Sequence, residues 1–209
     1  MACWSCQRPE GEGALCEKCG AIQPPRARTH FEMLGLAARF DVDPGTLEAR
    51  YKELSKKLHP DRFARADARA RVFSLQQSTA LNDAVRTLRD RTRRAEYLLR
   101  LSGLEIDGDR AGNGARTVRP GAALLAEMMD LGEAISLARL EGRTADVERL
   151  ARDVRARRER TMADVERAFS GSTDQTPGDD TLQIIGNDLA ALRYYDRFLA
   201  DAEGKDHAP

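Results

Sequence analysis

A single proline between two long amphipathic segments constrains the fold of this chain more than any other feature. Before it, four apolar residues recur at the spacing of one face of an α-helix, namely Leu47, Tyr51, Leu54 and Leu58. Pro60 has no backbone N–H and disfavours the helical conformation at His59, so the helix ends there. A second helical segment then runs from about residue 67 to about residue 89. The pattern predicts an antiparallel helical hairpin with an exposed His59-Pro60-Asp61 turn.

The start of the first hairpin helix has signals of its own. Asp43 is a good N-cap and Pro44 suits the first helical turn, so the helix is expected to begin at that proline. A shorter helix, predicted over His30–Leu36, precedes it. Phe31 and Leu34 are expected to pack this shorter helix against the hairpin.

The C-terminal half returns to strong helical periodicity, which predicts helices over about 120–140, 144–169 and 180–202. Three antiparallel helices with short loops form a bundle. Apolar stripes on the first and last helix consist of Leu124, Met128, Leu131, Ile135 and Ala138, and of Leu182, Ile185, Leu189 and Leu192. Four other side chains fall outside these stripes, namely Leu125, Met129, Tyr194 and Phe198. An extra apolar patch often marks a partner site, although it can also cover a linker or a second module.

Composition agrees with an all-α fold. Aromatic residues make up only 5% of the chain and charged residues 33%, which suits long amphipathic helices better than a sheet. Residues 103–118 read GLEIDGDRAGNGARTV and predict a linker without an apolar face. We therefore expect a four-cysteine knuckle at 1–25, a helical hairpin module at 29–102, this linker, and a three-helix bundle at 119–203.

All four cysteines lie near the N-terminus, as two Cys-x2-Cys pairs formed by Cys3 with Cys6 and Cys16 with Cys19. Zinc takes four tetrahedral ligands, and each pair supplies two thiolates to one ion. Disulfides and a redox Cys-x2-Cys motif are the alternatives, and the presence of two pairs favours a structural zinc site. The metal would fold a segment that is too short to build its own core.

The charge balance limits the partners. The chain has 34 basic and 34 acidic residues, and a neutral total argues against a general nucleic-acid-binding protein. No stretch reaches the roughly 18 apolar residues that a membrane span needs. The N-terminal sequence MACWSCQRPEGEG shows neither a secretory signal nor a transit peptide. We expect a cytoplasmic protein, or one of an organellar matrix if a presequence has been removed.

The hairpin resembles a J domain, because a basic amphipathic helix precedes the His-Pro-Asp turn and a longer helix follows it. The resemblance implies that His59, Pro60 and Asp61 stimulate a DnaK-type chaperone ATPase. Basic residues that would contact and steer this partner are Lys52, Lys56, Lys57 and Arg62. Without the resemblance, the tripeptide is only a turn with a helix-ending proline, and the lysines are a solvated face.

Further blocks resemble the HscB family of J-domain co-chaperones in iron–sulfur cluster assembly. These blocks are HFEMLGLAARFDVD, LEARYKELSKKLHPDRF, LQQSTALNDAVRTLRD and RRAEYLL, and CWSC…CEKCGAIQPP resembles the zinc-binding extension of some members. The resemblance implies an IscU-type scaffold protein and a DnaK/HscA-type chaperone as partners. It also implies that the scaffold binds to Leu125, Met129, Asp130, Glu133 and Tyr194. Gly132 stands where the family usually has a larger residue, which predicts a smaller apolar anchor for the scaffold.

Two other functions are alternatives to that of an HscB-like co-chaperone. A zinc-dependent regulatory or nucleic-acid-binding helical protein needs a basic, aromatic surface around its cysteines, but Trp4 is the only aromatic residue among residues 1–29. A J protein for unfolded clients needs a Gly/Phe-rich region, which the sequence lacks. No nucleophile or paired acid near His59 indicates a catalytic triad, so we expect an adaptor and not an enzyme.

Overall fold

The computed structural model describes residues 2–9, 13–106, 116–171 and 177–204. The chain forms two compact units, Met1–Arg94 and Ala95–Pro209. The first contains helices α1 (His30–Leu34), α2 (Pro44–Leu58) and α3 (Ala68–Arg89), and the division between the units falls inside α4 (Arg91–Leu101). The second continues with strands β1 (Leu104–Ile106) and β2 (Arg116–Val118), and with helices α5 (Ala122–Leu140), α6 (Thr144–Ser170) and α7 (Asp179–Ala202).

The predicted mostly helical fold is confirmed. The first unit ends at Arg94, inside α4, whereas the first module was expected to end at residue 102. Most of α4 therefore belongs to the second unit. The functional boundaries 29–102 and 119–203 stay predictions. No helix within the four described ranges is both long and apolar enough to cross a membrane.

Capping side chains fix where the helices of the first unit begin. The Asp43 carboxylate accepts a hydrogen bond from the N–H of Thr46 at 2.7 Å, which confirms it as the N-cap of α2. The hydroxyl and the N–H of Thr46 both donate to this carboxyl and lower its pKa. α1 ends at Leu34, two residues before the predicted end. Gly35 adopts a left-handed conformation with φ 62°, which terminates the helix there.

α3 supplies most of the core of the first unit. It packs against α1, α2 and a short 3-10 turn over Pro60–Phe63. Its buried side chains are Ala70, Ser74, Gln77, Leu81, Ala84, Val85 and Leu88. Phe31, Leu34 and Leu58 are each 1% exposed in the surrounding elements. Burial of such a side chain contributes about 1.5–3 kcal/mol, so apolar packing holds the helical hairpin together.

The three C-terminal helices pack as a bundle, as predicted. α7 contacts both α5 and α6, and the stripe that sequence periodicity identified on α7 is buried throughout. The prediction that Phe198 lies outside the stripe is wrong, because this residue is only 6% exposed. The buried stripe advances in steps of three from Leu192 through Tyr195 to Phe198, which keeps the Phe198 ring on the inward face.

The predicted linker is partly structured. β1 and β2 form a parallel two-stranded sheet that packs against α7. Leu104, Ile106 and Val118 are buried, so the expectation of a segment without an apolar face is wrong for these residues. Strands of three residues are too short to show a clear period of two among glycines and aspartates. Residues 107–115 of the predicted linker lie outside the described residues.

Gly186 of α7 allows the close approach of β2, since a Cβ atom there would lie 2.6 Å from Cγ2 of Val118. We expect Gly186→Ala to lower the free energy of unfolding of the second unit. Overpacking costs about 1–3 kcal/mol, against a gain in helix propensity of about 1 kcal/mol. Native-state hydrogen exchange of α7 amides measures the change.

The control is the same substitution in α5. A Cβ on Gly132 would meet no atom within 4 Å, so Gly132→Ala should raise the stability by about 0.5–1 kcal/mol. Gly186→Ala should also cost less in a Val118→Ala background. Equal effects of the two alanines would contradict the packing argument.

Candidate functional sites

The His59-Pro60-Asp61 turn begins directly after α2, and its last two residues are the first two of the 3-10 turn over Pro60–Phe63. His59 has φ −57° and ψ 131°, so the chain leaves the helical conformation where the proline predicts it. Nδ1 of His59 accepts a hydrogen bond from the N–H of Asp61 at 3.3 Å, which leaves Nε2 to hold the hydrogen of the neutral ring. The side chains of His59 and Asp61 are 54% and 90% exposed. The turn therefore offers an imidazole and a carboxylate to solvent.

The carbonyl of Leu58 attaches this turn to α3. Leu58 ends α2, and its oxygen does not accept the usual helical bond because the N–H of Arg62 donates to the carbonyl of His59. The hydroxyls of Ser74 and Ser78 donate to the Leu58 oxygen instead, at 2.8 and 3.1 Å. Two side chains of α3 thus fix the backbone position from which the turn starts.

The basic residues predicted to flank the turn are all exposed, but their surroundings differ. Lys52 and Lys57 each pair with a glutamate one turn earlier in α2, at 3.6 and 2.7 Å. The Lys57 ammonium lowers the pKa of Glu53, first by its hydrogen bond and then by charge attraction. The Arg62 guanidinium folds back and donates to the carbonyl of Lys56 at 3.3 Å. Exposed pairs of this kind contribute little to stability, so a partner can replace them at low cost.

The side chains that fall outside the α5 stripe are exposed, as the helical period predicts. Leu125 and Met129 are 37% and 67% exposed, and Asp130 and Glu133 are exposed beside them. Tyr194 is half-buried on α7, which packs against α5. Four of the five predicted scaffold-binding residues therefore lie on the solvent side of one helix, and the fifth belongs to a neighbouring helix.

Sequence reasoning missed residues of two kinds. Leu137 and Leu140 in the last part of α5 are 51% and 86% exposed, beyond the predicted face. Gln77 on α3 is 2% exposed, although a glutamine on a helix usually faces solvent. Its position four residues after Phe73 and four before Leu81 places it on the inward stripe, and this spacing was the available signal.

Residues 2–9 and 13–25, which we call the cysteine knuckle, form two similar hairpins. The N–H of Gln7 donates to the carbonyl of Cys3 at 2.9 Å, and the N–H of Gly20 donates to that of Cys16 at 2.8 Å. Gln7 and Gly20 each follow the second cysteine of a pair and have positive φ values of 61° and 73°. The same backbone turn therefore presents both Cys-x2-Cys pairs.

The four sulfur atoms converge on one point. All lie within 4.8 Å of one another, with Sγ of Cys3 at 3.7 Å from Cys19 and Sγ of Cys6 at 3.9 Å from Cys16. A tetrahedral ion with metal–sulfur bonds of about 2.3 Å needs sulfur separations of about 3.8 Å. The predicted convergence is confirmed, and the four residues fit a closed metal site.

The thiols of this cluster differ in acidity. Burial raises the pKa of Cys3, but hydrogen bonds from the backbone N–H groups of Cys6 and Ser5 and from two neighbouring thiols lower it to about 6. The N–H of Ala21 lowers the pKa of Cys19, but desolvation and the other thiols raise it to about 11. One thiol therefore ionises readily while another retains its proton. A metal ion that binds all four as thiolates must displace protons.

The sequence of the chain is similar to known co-chaperones. Residues 121–203 match a family model described as the HSCB C-terminal oligomerisation domain. An iron–sulfur cluster co-chaperone protein HscB homolog of Arabidopsis thaliana is 31% identical over 199 residues, which cover 93% of this chain and 70% of that relative. A co-chaperone protein HscB homolog of Vibrio cholerae is 44% identical over 80 residues, which cover 38% of this chain and 47% of the relative.

Solved structures extend this similarity to the fold. The crystal structure of human co-chaperone protein HscB matches with a TM-score of 0.79 at 28% identity, over 98% of each chain. The chaperone HscB from Vibrio cholerae matches with a TM-score of 0.66 at 27% identity, over 84% of this chain and 96% of that one. The more extensive of these two matches includes almost the whole chain.

We expect one metal ion per chain in protein purified under reducing conditions. Cys16→Ser removes one of the four sulfur ligands and should abolish stoichiometric binding, as elemental analysis of the purified variant will measure. Lys18→Ser introduces serine into the same hairpin without removing a ligand and should retain the metal. A disulfide between any two of the four cysteines in such protein would contradict the assignment.

Proposed function

The chain belongs to the HscB family of iron–sulfur cluster co-chaperones, and from that premise we propose that it is an adaptor between two proteins. In this proposal the C-terminal bundle binds an IscU-type scaffold protein, on which clusters are assembled. The J domain delivers that scaffold to a DnaK/HscA-type chaperone ATPase and stimulates its ATP hydrolysis. The observation that carries the proposal is the exposed His-Pro-Asp turn, whose backbone is fixed by α3 while its polar side chains face solvent.

The chaperone contact centres on His59, Pro60 and Asp61. The Asp61 carboxylate, 90% exposed, accepts hydrogen bonds from a basic residue of the chaperone. Contact and steering come from the exposed basic residues Lys52, Lys56, Lys57 and Arg62. The chemistry of ATP cleavage belongs to the chaperone, so the chain activates an enzyme without being one.

The scaffold contact centres on Leu125, Met129 and Tyr194, with Asp130 and Glu133 at its rim. Both acids are without an ion pair among the residues that the structure describes, whereas Glu127 of the same helix pairs with Arg157 of α6. Exposed acids of this kind are available to a basic surface of a partner. Holding scaffold and chaperone on one chain raises their effective concentration, which is how the adaptor promotes transfer.

The cysteine knuckle holds a structural zinc ion in this proposal. Four sulfur ligands suit zinc, and four thiolates this close together would fill a tetrahedral site and leave no open coordination position for catalysis. Zinc would supply only the crosslink that joins the two hairpins. Reduced thiols are required for binding, which fits the expected cytoplasmic location or a comparably reducing organellar matrix.

His59→Gln should abolish stimulation of the chaperone ATPase, because glutamine does not reproduce the imidazole of the exposed turn. Helicity and scaffold binding should stay unchanged, since more than half of the side chain, 54%, is exposed. Single-turnover ATPase assays measure the effect. His30→Gln is the matched control in α1 and should retain stimulation. Undiminished stimulation by His59→Gln would refute the J-domain assignment.

Alanine at Leu125, Met129 and Tyr194 together should weaken scaffold binding at least about tenfold, which corresponds to about 1.4 kcal/mol. Apolar anchors at an interface centre typically contribute about 1–2 kcal/mol each. Calorimetric titration with purified scaffold protein measures the affinity. J-domain stimulation without scaffold should persist.

The matched control is a double alanine variant at Leu137 and Leu140, two exposed leucines of the same helix. It removes a similar apolar area outside the predicted face and should bind the scaffold as the wild type does. If the triple variant instead melts at a lower temperature and binds normally below that temperature, the three side chains support the fold and the site assignment is wrong.

A further inference from the structure

We propose that the cysteine knuckle supports the His-Pro-Asp turn through α3, so that metal occupancy controls how firmly the turn is held. Gln23 of the knuckle and Gln77 of α3 act as positioning residues that connect the metal ligands to this helix. The functional consequence rests on the proposed chaperone contact, whereas the physical coupling does not. A continuous series of contacts runs from Cys3 to Leu58 within the first unit.

The first contacts join a metal ligand to α3. Nε2 of Gln23 donates to Sγ of Cys3 at 3.3 Å, and the backbone carbonyl of Gln23 accepts a hydrogen bond from Nε2 of Gln77 at 2.9 Å. Both glutamines are buried, at 0% and 2% exposure. An N–H group that donates to a metal-bound sulfur orients that ligand and moderates its charge. Gln77 in turn fixes the backbone of the residue that makes this bond.

Both buried amides have one side-chain atom without a hydrogen bond. Oε1 of Gln23 and Oε1 of Gln77 find no partner within the described part of the chain. Leaving a buried acceptor unpaired is unfavourable, so each amide stays buried because its Nε2 donates a hydrogen bond there, Gln23 to Sγ of Cys3 and Gln77 to the carbonyl of Gln23. The Gln77 side chain is therefore held in the contact between knuckle and α3 by the knuckle backbone.

Aromatic packing extends the same interface. Nε1 of Trp4, in the first hairpin, donates to the carbonyl of Ile22 in the second at 2.6 Å. The Trp4 ring meets the ring of Phe73 edge-on at 6.0 Å, and the Arg69 guanidinium lies 5.5 Å from its centre. Arg69, Phe73 and Gln77 follow one another at intervals of four on α3. The knuckle therefore lies along one stripe of that helix.

The residues that hold the turn directly follow the residues that contact the knuckle. Ser74 follows Phe73, Ser78 follows Gln77, and both serines donate to the carbonyl of Leu58. A rigid helical segment from Phe73 to Ser78 therefore joins both contact sets. Any shift of this segment on the knuckle side displaces the donors that fix the start of the His-Pro-Asp turn.

The contacts between the knuckle and α3 depend on metal binding. The knuckle is short, and folding of such segments depends on the metal crosslink. When the metal leaves, α3 loses the packing of Trp4 and the hydrogen bond to Gln23. Coupling between two sites is reciprocal, so weakening the contacts at α3 must also weaken metal binding. A knuckle that acted as an independent module would show neither effect.

Metal release tests the first half of the proposal. Gln23→Met should speed transfer of zinc from the full chain to a chromogenic chelator by about tenfold, since ligand partners typically contribute 10–100-fold to affinity. Gln77→Met acts one step farther away, so we expect zinc release faster than in the wild type but slower than in Gln23→Met. Gln76→Met is the matched control, because Gln76 is the adjacent exposed glutamine of the same helix, and it should release zinc at the wild-type rate.

A spectroscopic signature separates positioning from general destabilisation. In the cobalt-substituted chain, loss of the Gln23 hydrogen bond should shift the sulfur-to-cobalt charge-transfer band, and Gln76→Met should leave it unchanged. Equal release rates and spectra for the Gln76 and Gln77 variants would overturn the role of Gln77.

Hydrogen exchange tests the second half. Removing zinc from the wild-type chain with a chelator should speed amide exchange at residues 58–64 and 73–78 by about tenfold or more. In the variant with alanine at both Ser74 and Ser78 the turn should exchange fast with or without zinc. Because the coupling is reciprocal, this variant should also bind zinc more weakly than the wild type. If zinc removal unfolds the knuckle and leaves exchange at 58–64 unchanged, the coupling is wrong.

The ATPase assay separates this proposal from the proposed function. Zinc-free chain should stimulate the chaperone less than zinc-loaded chain. If zinc-loaded wild-type chain fails to stimulate at all, the proposed function fails while the exchange result still decides the coupling. Full stimulation by zinc-free chain, together with fast exchange of its turn, would overturn the functional consequence.

Discussion

Burial of α3 on several sides is the constraint on which the first unit depends. Helices α1 and α2 pack against it and bury side chains such as Leu81, and the cysteine knuckle contacts Phe73 and Gln77 nearer its N-terminal end. Beside these two residues, Ser74 and Ser78 hold the end of α2. A helix in a folded protein owes most of its stability to tertiary packing rather than to propensity, so packing on each side stabilises the contacts on the others. The polar turn can stay exposed because its neighbours on both sides are fixed.

Much of this arrangement could be predicted from the sequence because its signals are local. Pro60 ends α2 at the predicted residue, and Asp43 caps its start through a short hydrogen bond. The spacing of apolar residues identified the bundle helices and the exposed side chains Leu125 and Met129. The two Cys-x2-Cys pairs predicted a single cluster, which the sulfur separations confirm. Each of these signals is a pattern within one short stretch of sequence, and even the four cysteines lie within 17 residues.

The features that sequence reasoning missed depend on contacts between distant segments. Leu104 and Ile106 are buried because a strand more than ten residues away pairs with theirs and α7 covers both. Gln77 is buried because the carbonyl of Gln23, 54 residues earlier, accepts its hydrogen bond. Phe198 is a local exception, since it faces inward because the α7 stripe drifts by steps of three. The spacing of Gln77 indicates an inward position, but no local pattern identifies the segment that pairs with it.

The contact between Gln77 and Gln23 also bears on how relatives diverge. A relative without the two cysteine pairs has no knuckle backbone to accept the Gln77 hydrogen bond, and the helix stripe beneath would lie open to water. In such a relative, the residue at the position of Gln77 no longer has this backbone carbonyl as a hydrogen-bond acceptor. The residues at the positions of Phe73 and Arg69 lose the tryptophan that covers them. Gain or loss of the cysteines should therefore coincide with substitutions on α3. Within this family, a graft of the knuckle onto a relative that lacks it would have to include those helix positions.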